Sequence, residues 1–273
     1  MGNESSSFTR SNYGVVGSQS SQGKPWLGQA SNTLANISVA GEKVVTPLRT
    51  IGLELAYTSI DLERSILTGQ PIDRQQFDGL NISYQMWTDE MVYVGDTDTS
   101  LTSYGLVNSP LVTTSNVVNG VSGFPEWDQK TPQEKLFDTN GMLYAGWEAT
   151  GFSVLPSKVA LPPYQFSLIS QEIVSSAGSM STLRYLKENS LITAETGQEL
   201  EIVPLKWLKG AGVGGTDRMF CYTNREEFVR FPMVPIRRET AYYHSIYYHA
   251  PYTWAYGMIE FVYPETVQYA DGI

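Results

Sequence analysis

Phe77, Leu80, Tyr84, Trp87 and Met91 recur at steps of three and four residues, with Arg74, Asp78, Gln85 and Asp89 falling between them. That spacing gathers the apolar and aromatic side chains into one stripe of an α-helix and turns the polar ones away from it. The pattern holds for about six turns, a rod of roughly 30 Å at about 1.5 Å per residue. A rod with one apolar stripe has to lie across another layer, so the rest of the chain must supply a sheet for it to cover. Its start is predicted at Asp73, because Asp73 and Gln76 have the spacing of a capping box. Gly79 inside the rod costs roughly 1 kcal/mol against Ala, which predicts a close backbone approach at that point.

Upstream of the rod, Ile51, Leu53, Leu55 and Tyr57 alternate and so share one face of a strand. A short helix follows, capped by Thr58 or Ser59, with Ile60, Leu62 and Ile66 as its apolar positions and Gly69 then Pro71 as its stop signal. Residues 1–35 are polar and rich in Gly and Ser. Yet Tyr13, Val15, Val16, Trp26, Leu27 and Leu34 are too apolar for a plain linker, and residues 37–45 are strand material. A two-stranded excursion, out over about 8–17 and back over 37–57, accounts for both. An isolated ribbon is marginal in water, so this one is expected to find its partner surface on another subunit.

Downstream, Thr131-Pro-Gln-Glu134 is a capping box with Pro at the first helical position, opening a helix that carries Leu136, Phe137, Leu143, Tyr144 and Trp147. Residues 154–161 read as a buried strand. Pro162-Pro163 launches a helix expected to carry Phe166, Ile169 and Ile173 and to end near Gly178; residues 181–188 read as a short helix and 200–207 as a strand. From Asp217 onward the pattern alternates, with strands expected at 218–222, 228–231, 240–248 and 256–263, the last placing Ile259, Phe261 and Tyr263 on one face. The layout is α+β, with one central helix, helical insertions and β returns.

The charge balance narrows the function. Lys and Arg number 18 against 28 Asp and Glu, a net charge of −10. A dedicated nucleic-acid binder needs a basic stripe to replace counterions, so that class is disfavoured, whereas a container that does not hold DNA tightly is compatible. Charged residues make up 17% of the chain and aromatics 12%, with 17 Tyr. Few charges and many tyrosines suit a surface covered by other protein, or else a Tyr-rich β protein. Cys221 stands alone, which leaves no intrachain disulfide and no thiolate cluster, and its place mid-strand reads as a small buried group. No run of 18 apolar residues is present for a membrane span, and the first 25 residues lack the apolar middle of a signal peptide.

Candidate chemistry is sparse. Gly210, Gly212 and Gly215 satisfy G-x-G-x-x-G after a predicted strand, but the following residues read as another strand, so the helix N-terminus that holds phosphate is missing and a surface loop is expected. A soluble nucleotide-binding enzyme built on that loop is the alternative from a different class. His244 and His249, five apart on one strand, would point to opposite faces and share no metal. Asp61/Glu63 and Asp89/Glu90 are spaced as solvated helix faces. With no G-x-S-x-G, H-E-x-x-H or P-loop, no catalytic residue, metal ligand or cofactor is expected.

The order of these pieces resembles the major capsid proteins of tailed bacteriophages. The matching stretches are Val39-Ala-Gly-Glu-Lys-Val-Val-Thr-Pro-Leu-Arg-Thr-Ile-Gly52, Asp61-Leu-Glu-Arg-Ser-Ile-Leu-Thr-Gly-Gln-Pro-Ile-Asp73, Val92-Tyr-Val-Gly-Asp96 with Tyr104-Gly-Leu-Val-Asn-Ser-Pro110, Val159-Ala-Leu-Pro-Pro163, Leu205-Lys-Trp-Leu-Lys-Gly-Ala-Gly-Val-Gly-Gly-Thr-Asp-Arg-Met219 and Tyr269-Ala-Asp-Gly-Ile273. Together they span nearly the whole chain. The resemblance implies the Hong Kong phage-type capsid fold, shared with encapsulins. It divides the chain into an N-terminal segment and extended loop (1–57), a peripheral domain with the spine helix (58–114), an axial domain (115–225) and a return to the peripheral domain (226–273).

The function it implies is that of a non-enzymatic major capsid protein assembling into hexamers and pentamers of an icosahedral shell around double-stranded DNA. The alternative is an encapsulin-like compartment holding protein cargo. Implied partners are other copies of the chain, a portal, scaffolding or decoration proteins, and DNA enclosed without sequence-specific contact, with no membrane; the implied location is the virion, after assembly in the host cytoplasm. Lys24, Trp26, Lys43 and Arg49 of the extended loop are expected at subunit contacts, and Lys209, Gly210, Asp217 and Arg218 around the capsomer axis. Relatives usually carry a longer arm before the loop, which here is expected to begin almost at Met1; either the arm is short or upstream residues were removed or are not included, and the latch between capsomers is unassigned.

Overall fold

The computed structural model describes residues 5–16, 36–69, 71–96, 103–175 and 178–273. In chain order the elements are β1 (Ser5–Val16), β2 (Asn36–Pro47), β3 (Arg49–Thr58), α1 (Ser59–Thr68), α2 (Ile72–Tyr93), β4 (Thr113–Asn116), α3 (Pro132–Ala149), β5 (Lys158–Leu161), α4 (Pro163–Gln171), β6 (Ile173–Ser175), β7 (Gly178–Ser181), α5 (Thr182–Glu188), α6 (Leu191–Thr196), β8 (Glu201–Pro204), β9 (Arg218–Tyr222), β10 (Val229–Arg230), β11 (Met233–Arg238), β12 (Tyr242–His244), β13 (Tyr247–Tyr256), β14 (Glu260–Phe261) and β15 (Gln268–Asp271). No described helix is long and apolar enough to cross a membrane.

The rod is α2, 22 residues long. It lies on a sheet in which β13 pairs antiparallel with β3 along one edge and with β11 and β12 along the other. Strand alternation sends Tyr252, Trp254 and Tyr256 of β13 toward the helix, where Phe77 meets Tyr252 at 5.8 Å, Trp254 sits 5.6 Å from Tyr84 and 6.0 Å from Trp87, and Tyr256 stacks on Tyr84 at 6.2 Å. Each such pair adds about 0.5–1.5 kcal/mol beyond the area it buries. The Tyr256 hydroxyl, whose pKa is raised by burial, meets Thr88 Oγ1 at 2.6 Å. Ile51, Leu53, Leu55 and Tyr57 share the inner face of β3, as the alternation predicts.

Two local expectations for the rod are corrected. Asp73 and Gln76 form no capping box: Pro71 occupies the cap position without a side-chain bond, and Gln76 Nε2 instead donates to the Ala56 carbonyl on β3 at 3.3 Å. A tertiary acceptor has taken the amide that would have reached back. Gly79 faces outward, and a Cβ built there meets nothing within 4 Å, so no close approach within the chain explains it. The α1 cap is as expected, Thr58 Oγ1 accepting from Asp61 N–H at 3.0 Å.

A second sheet runs β4-β15-β9-β5-β8, with β4/β15 and β5/β8 parallel and the other pairs antiparallel. One core packs α3, α4, α5 and α6 against it through Met142, Leu143, Ile169, Leu186 and Ile192; another, on Ala160, Phe220, Val267 and Tyr269, joins it to residues 106–112 and the end of α2. At that junction Gly105 lies so close to Tyr93 that a Cβ would collide with its carbonyl, and Asn108 Nδ2 donates to Val94 O at 2.8 Å. The capping box on α3 is complete, with Thr131 accepting from Glu134 N–H and Glu134 accepting from Thr131 N–H. Three bonds to the Glu134 carboxylate, from Val121 N–H, Thr131 N–H and the Thr131 hydroxyl, hold its pKa below the usual carboxylate range.

Several boundaries differ from the alternation-based reading. Ile173 is in β6, because α4 ends at Gln171. The expected strand over 200–207 is cut to β8 and gives way to a 3₁₀ turn at Lys206–Leu208. Strand 256–263 shrinks to Glu260–Phe261. The largest difference is at 240–248, which is a hairpin: Ser245, with φ of +58°, sits in the tight turn between β12 and β13. Cys221 is fully buried on β9, and burial pushes its thiol up to about 12, so it is a packing group and no nucleophile.

Candidate functional site

Among the described residues no group of three or more His, Cys, Asp and Glu is arranged to hold a metal. The features that ask for an explanation are surfaces. The first is the β1–β2 ribbon, twelve residues on each side in continuous antiparallel register from Ser5↔Pro47 to Val16↔Asn36. At about 3.4 Å per residue it extends roughly 40 Å. Only Thr46 of β2 is buried. One face of the ribbon is tied to the body: Phe8 is 8% exposed beneath the Arg230 guanidinium, and Arg10 reaches Glu265 at 3.2 Å and lies over Tyr263. The opposite face, which includes Ile37, Val39, Lys43 and Val45, is bare; Ile37 is 73% and Val39 60% exposed.

Of the ribbon residues expected at contacts, Lys43 is exposed on that bare face and makes no ion pair among the described residues. Arg49 is partly buried at the root, where Nη1 meets Asp96 Oδ2 at 3.1 Å and ties the start of β3 to the end of the rod. It fastens the ribbon's base to the body. Lys24 and Trp26 lie outside the described residues. In the sequence, residues 1–50 hold Arg10, Lys24, Lys43 and Arg49 against Glu4 and Glu42, a net +2 in a chain of net −10, leaving −12 on the remainder.

The second surface is the outer face of the β3–β13 sheet, opposite α2. Thr50, Gly52, Glu54 and Ala56 stand on it exposed, and small side chains leave it flat. A groove of about 440 Å³ crosses it, lined by Thr50, Pro235, Arg237, Glu239, Thr253 and Ala255 among others. At its end both histidines are on one face, contrary to the single-strand expectation. The hairpin turn reverses the chain, so pairing register decides the face: Tyr242 opposes His249 and His244 opposes Tyr247. Their rings are 6.3 Å apart, His249 Nδ1 is 3.0 Å from Glu54 Oε1, and Tyr242 both stacks on His249 and donates to Glu54 at 2.9 Å.

The third surface is the glycine loop. Gly210, Gly214 and Gly215 adopt positive φ, and Gly212 is pressed so close that a Cβ would stand 2.5 Å from Thr216 Oγ1 and 3.0 Å from the Asp271 carboxylate carbon. The loop leads into β9, not into a helix, as expected for a surface loop. Lys209 and Gly210 are exposed at its base and Val213, 72% exposed, at its tip. Within the chain Asp217 is half-buried and Arg218 is buried. Asp217 accepts from Gly210 N–H and Gln165 Nε2, both at 2.8 Å. Arg218 is 6% exposed, forks onto both oxygens of Asp271 at 2.6 and 2.8 Å, donates to Val107 O and lies over Tyr269. Asp271 Oδ2 in turn accepts from Val213 N–H at 2.9 Å, so the pair positions the loop from beneath. Asp271, 53 residues from Arg218, was not singled out from sequence, since no local signal joins the two.

Comparison with known proteins fits a chain whose conspicuous features are surfaces. The sequence matches none of the curated proteins it was compared with. Its fold is similar to that of the capsid of Myoviridae phage XM1, at 17% identity and a TM-score of 0.73 over 99% of this chain and 86% of that one. It is also similar to a virus-like particle from Pyrococcus furiosus, at 14% identity and a TM-score of 0.53 over 97% and 86%, and to the SrpI encapsulin from Synechococcus elongatus, at 12% and 0.50 over 87% and 78%. These likenesses establish the α+β Hong Kong phage-type capsid fold expected from sequence. A family model described as major capsid protein matches residues 23–273, nearly the whole sequence. The chain therefore belongs to the major capsid protein family, the structural proteins of the capsid shell.

Proposed function

We propose that this chain assembles into the hexamers and pentamers of an icosahedral shell that encloses double-stranded DNA. The observation that carries the reading is the β1–β2 ribbon, whose outer face leaves Ile37 and Val39 in water, since a two-stranded ribbon is marginal until that face is covered. Residues 1–57 act as the extended loop laid on a neighbouring copy, 58–114 and 226–273 as the peripheral domain, and 115–225 as the axial domain, whose glycine loop turns toward the capsomer axis. Lys43 is a contact residue on the ribbon, and Lys209, Gly210 and Val213 are contact residues at the axis. Many weak repeated contacts then add through multivalency, so shell closure is steep in concentration. Net −10 suits a shell that encloses DNA without gripping it. Portal and scaffolding or decoration proteins are the further partners of such a shell, assembled in the host cytoplasm.

The likeness to an encapsulin supports a second reading, a compartment for protein cargo. The contents separate the two. Particles purified from the producing cell and treated with nuclease should retain protected double-stranded DNA of genome length; one enzyme species and no nucleic acid would transfer the chain to the second reading. Absence of any particle would contradict both.

A further inference from the structure

The rod turns Phe77, Tyr84 and Trp87 onto the sheet, and its opposite side is not the polar surface that such a helix ordinarily shows to water. There Gln75, Gly79, Ile82, Met86 and Glu90 follow one another at steps of three and four residues, all exposed. Ile82 is 59% and Met86 63% exposed. Gly79 weakens the helix it stands in, and a Cβ built on it meets nothing within 4 Å, so nothing among the described residues needs the gap it leaves. A gap and two bare apolar side chains on one line ask for the same thing, a partner. We propose that this face of α2, from Gln75 to Glu90, is a docking surface for a basic amphipathic helix of another protein. The inference goes beyond the shell reading and does not depend on it.

The shape selects a helix. Strand addition needs an edge of unpaired N–H and C=O groups, and along the rod those groups are bonded within the helix. At the gap, where a missing side chain lays the backbone open, Ser83 Oγ adds a bond to the Gly79 carbonyl at 3.0 Å. Side chains four residues apart form a ridge that packs into the groove of a facing helix. Ile82 and Met86 are such a ridge, and Gly79, one turn before it, leaves the hollow that receives a large apolar side chain. Beyond Glu90 the face closes, because Trp207 Nε1 and Lys206 Nζ meet Asp89 at 2.8 and 2.7 Å. The open length is about 22 Å at about 1.5 Å per residue, so the partner helix spans about four turns.

Charge selects the kind of helix. Asp78 and Glu90 stand exposed at the borders of the face, and neither is in an ion pair among the described residues. Together α1 and α2 hold six acidic residues against Arg64 and Arg74. Lysine or arginine flanking the partner's apolar stripe meets Asp78 and Glu90, and complementary charge of this kind steers association and fixes register. A second copy of the same face would set these acids against their own like. DNA, itself anionic, would be repelled and has nothing to offer Ile82 and Met86.

The test uses the full chain below the concentration at which it scatters light. The probe is a fluorescent synthetic helix of about sixteen residues, with Leu at i, i+4, i+7 and i+11, Lys on either side of that stripe and Ala elsewhere. Fluorescence anisotropy should show saturable binding that weakens about tenfold when Glu replaces the Lys of the peptide. Ile82→Gln combined with Met86→Gln should weaken it about tenfold as well. Gly79→Gln separates docking from folding, because a side chain there fills the gap yet improves the helix: the folding equilibrium constant should rise roughly threefold while binding falls about tenfold. Binding that these variants leave unchanged, or no saturable binding by the wild type up to about 1 mM peptide, would overturn the proposal. Self-association in sedimentation that Gly79→Gln abolishes would assign the face to a second copy and overturn it too. None of these readouts needs particles, so failure of the shell reading would leave the result standing.

Discussion

Replacing Arg218 by Met should separate holding the glycine loop from forming contacts with it. Arg218 and Asp271 have side chains 7% and 1% exposed and are joined by two bonds of 2.6 and 2.8 Å. Met keeps most of the volume over Tyr269 but leaves a buried carboxylate whose remaining partner is the Val213 N–H. Breaking a buried pair by removing one member costs about 3–5 kcal/mol, because the other charge stays desolvated. For a chain of this size that lowers Tm by roughly 6–20 °C. Removing both charges, as Arg218→Met with Asp271→Leu, should recover most of that loss, since a well-packed apolar pair is often neutral. The double variant still lacks the acceptor for Val213 N–H, so it should be stable yet assemble poorly. Urea denaturation followed by tryptophan fluorescence gives the stabilities, and light scattering the assembly. A single variant that loses less than about 1 kcal/mol, or a double variant as unstable as the single, would refute the reasoning.

Thr131→Ala removes the reciprocal cap of α3 and should cost about 1 kcal/mol in the same denaturation assay. Trp254→Ala, in a site 1% exposed between Tyr84 and Trp87, should cost about 3–5 kcal/mol and loosen α2, seen as faster amide exchange along 77–91. Gly212→Ala places a methyl against Thr216 and Asp271 and should cost about 1–3 kcal/mol while leaving the far sheet's exchange rates unchanged. The folded-state pKa of Glu134 lies below its unfolded value, so its contribution is present above the unfolded pKa and lost as pH falls through the folded one; Glu134→Gln should flatten the acid limb of the stability curve. Arg10→Ala, by contrast, removes an exposed ion pair worth under about 1 kcal/mol, but should raise exchange in β1 and β2 by freeing the root.

What was legible in the sequence was local. The stripe from Phe77 to Met91, the alternation of Ile51 to Tyr57 and the Thr131 to Glu134 box each specify their element within a few residues, and each is in place. Short α6 carried a signal that was passed over, Ser190 capping Thr193 N–H and Gly197 in the left-handed region at its end. Long-range choices were not legible. Gln76 prefers an acceptor on β3, and no local signal around Arg218 points to its pairing with Asp271, 53 residues away. The β12–β13 turn uses Ser245-Ile246, with none of the Gly, Asn or Pro that usually mark a reversal, so alternation ran through it and put the histidines on opposite faces.

A cryo-electron microscopy reconstruction of particles assembled from this chain tests the central claim most directly, because the claim concerns what covers the ribbon. Rings of five and six copies, with the outer face of each β1–β2 ribbon lying on a neighbouring copy, are the predicted result. A ribbon folded back over its own body, or a chain that remains a 30.3 kDa monomer at high concentration, would contradict it.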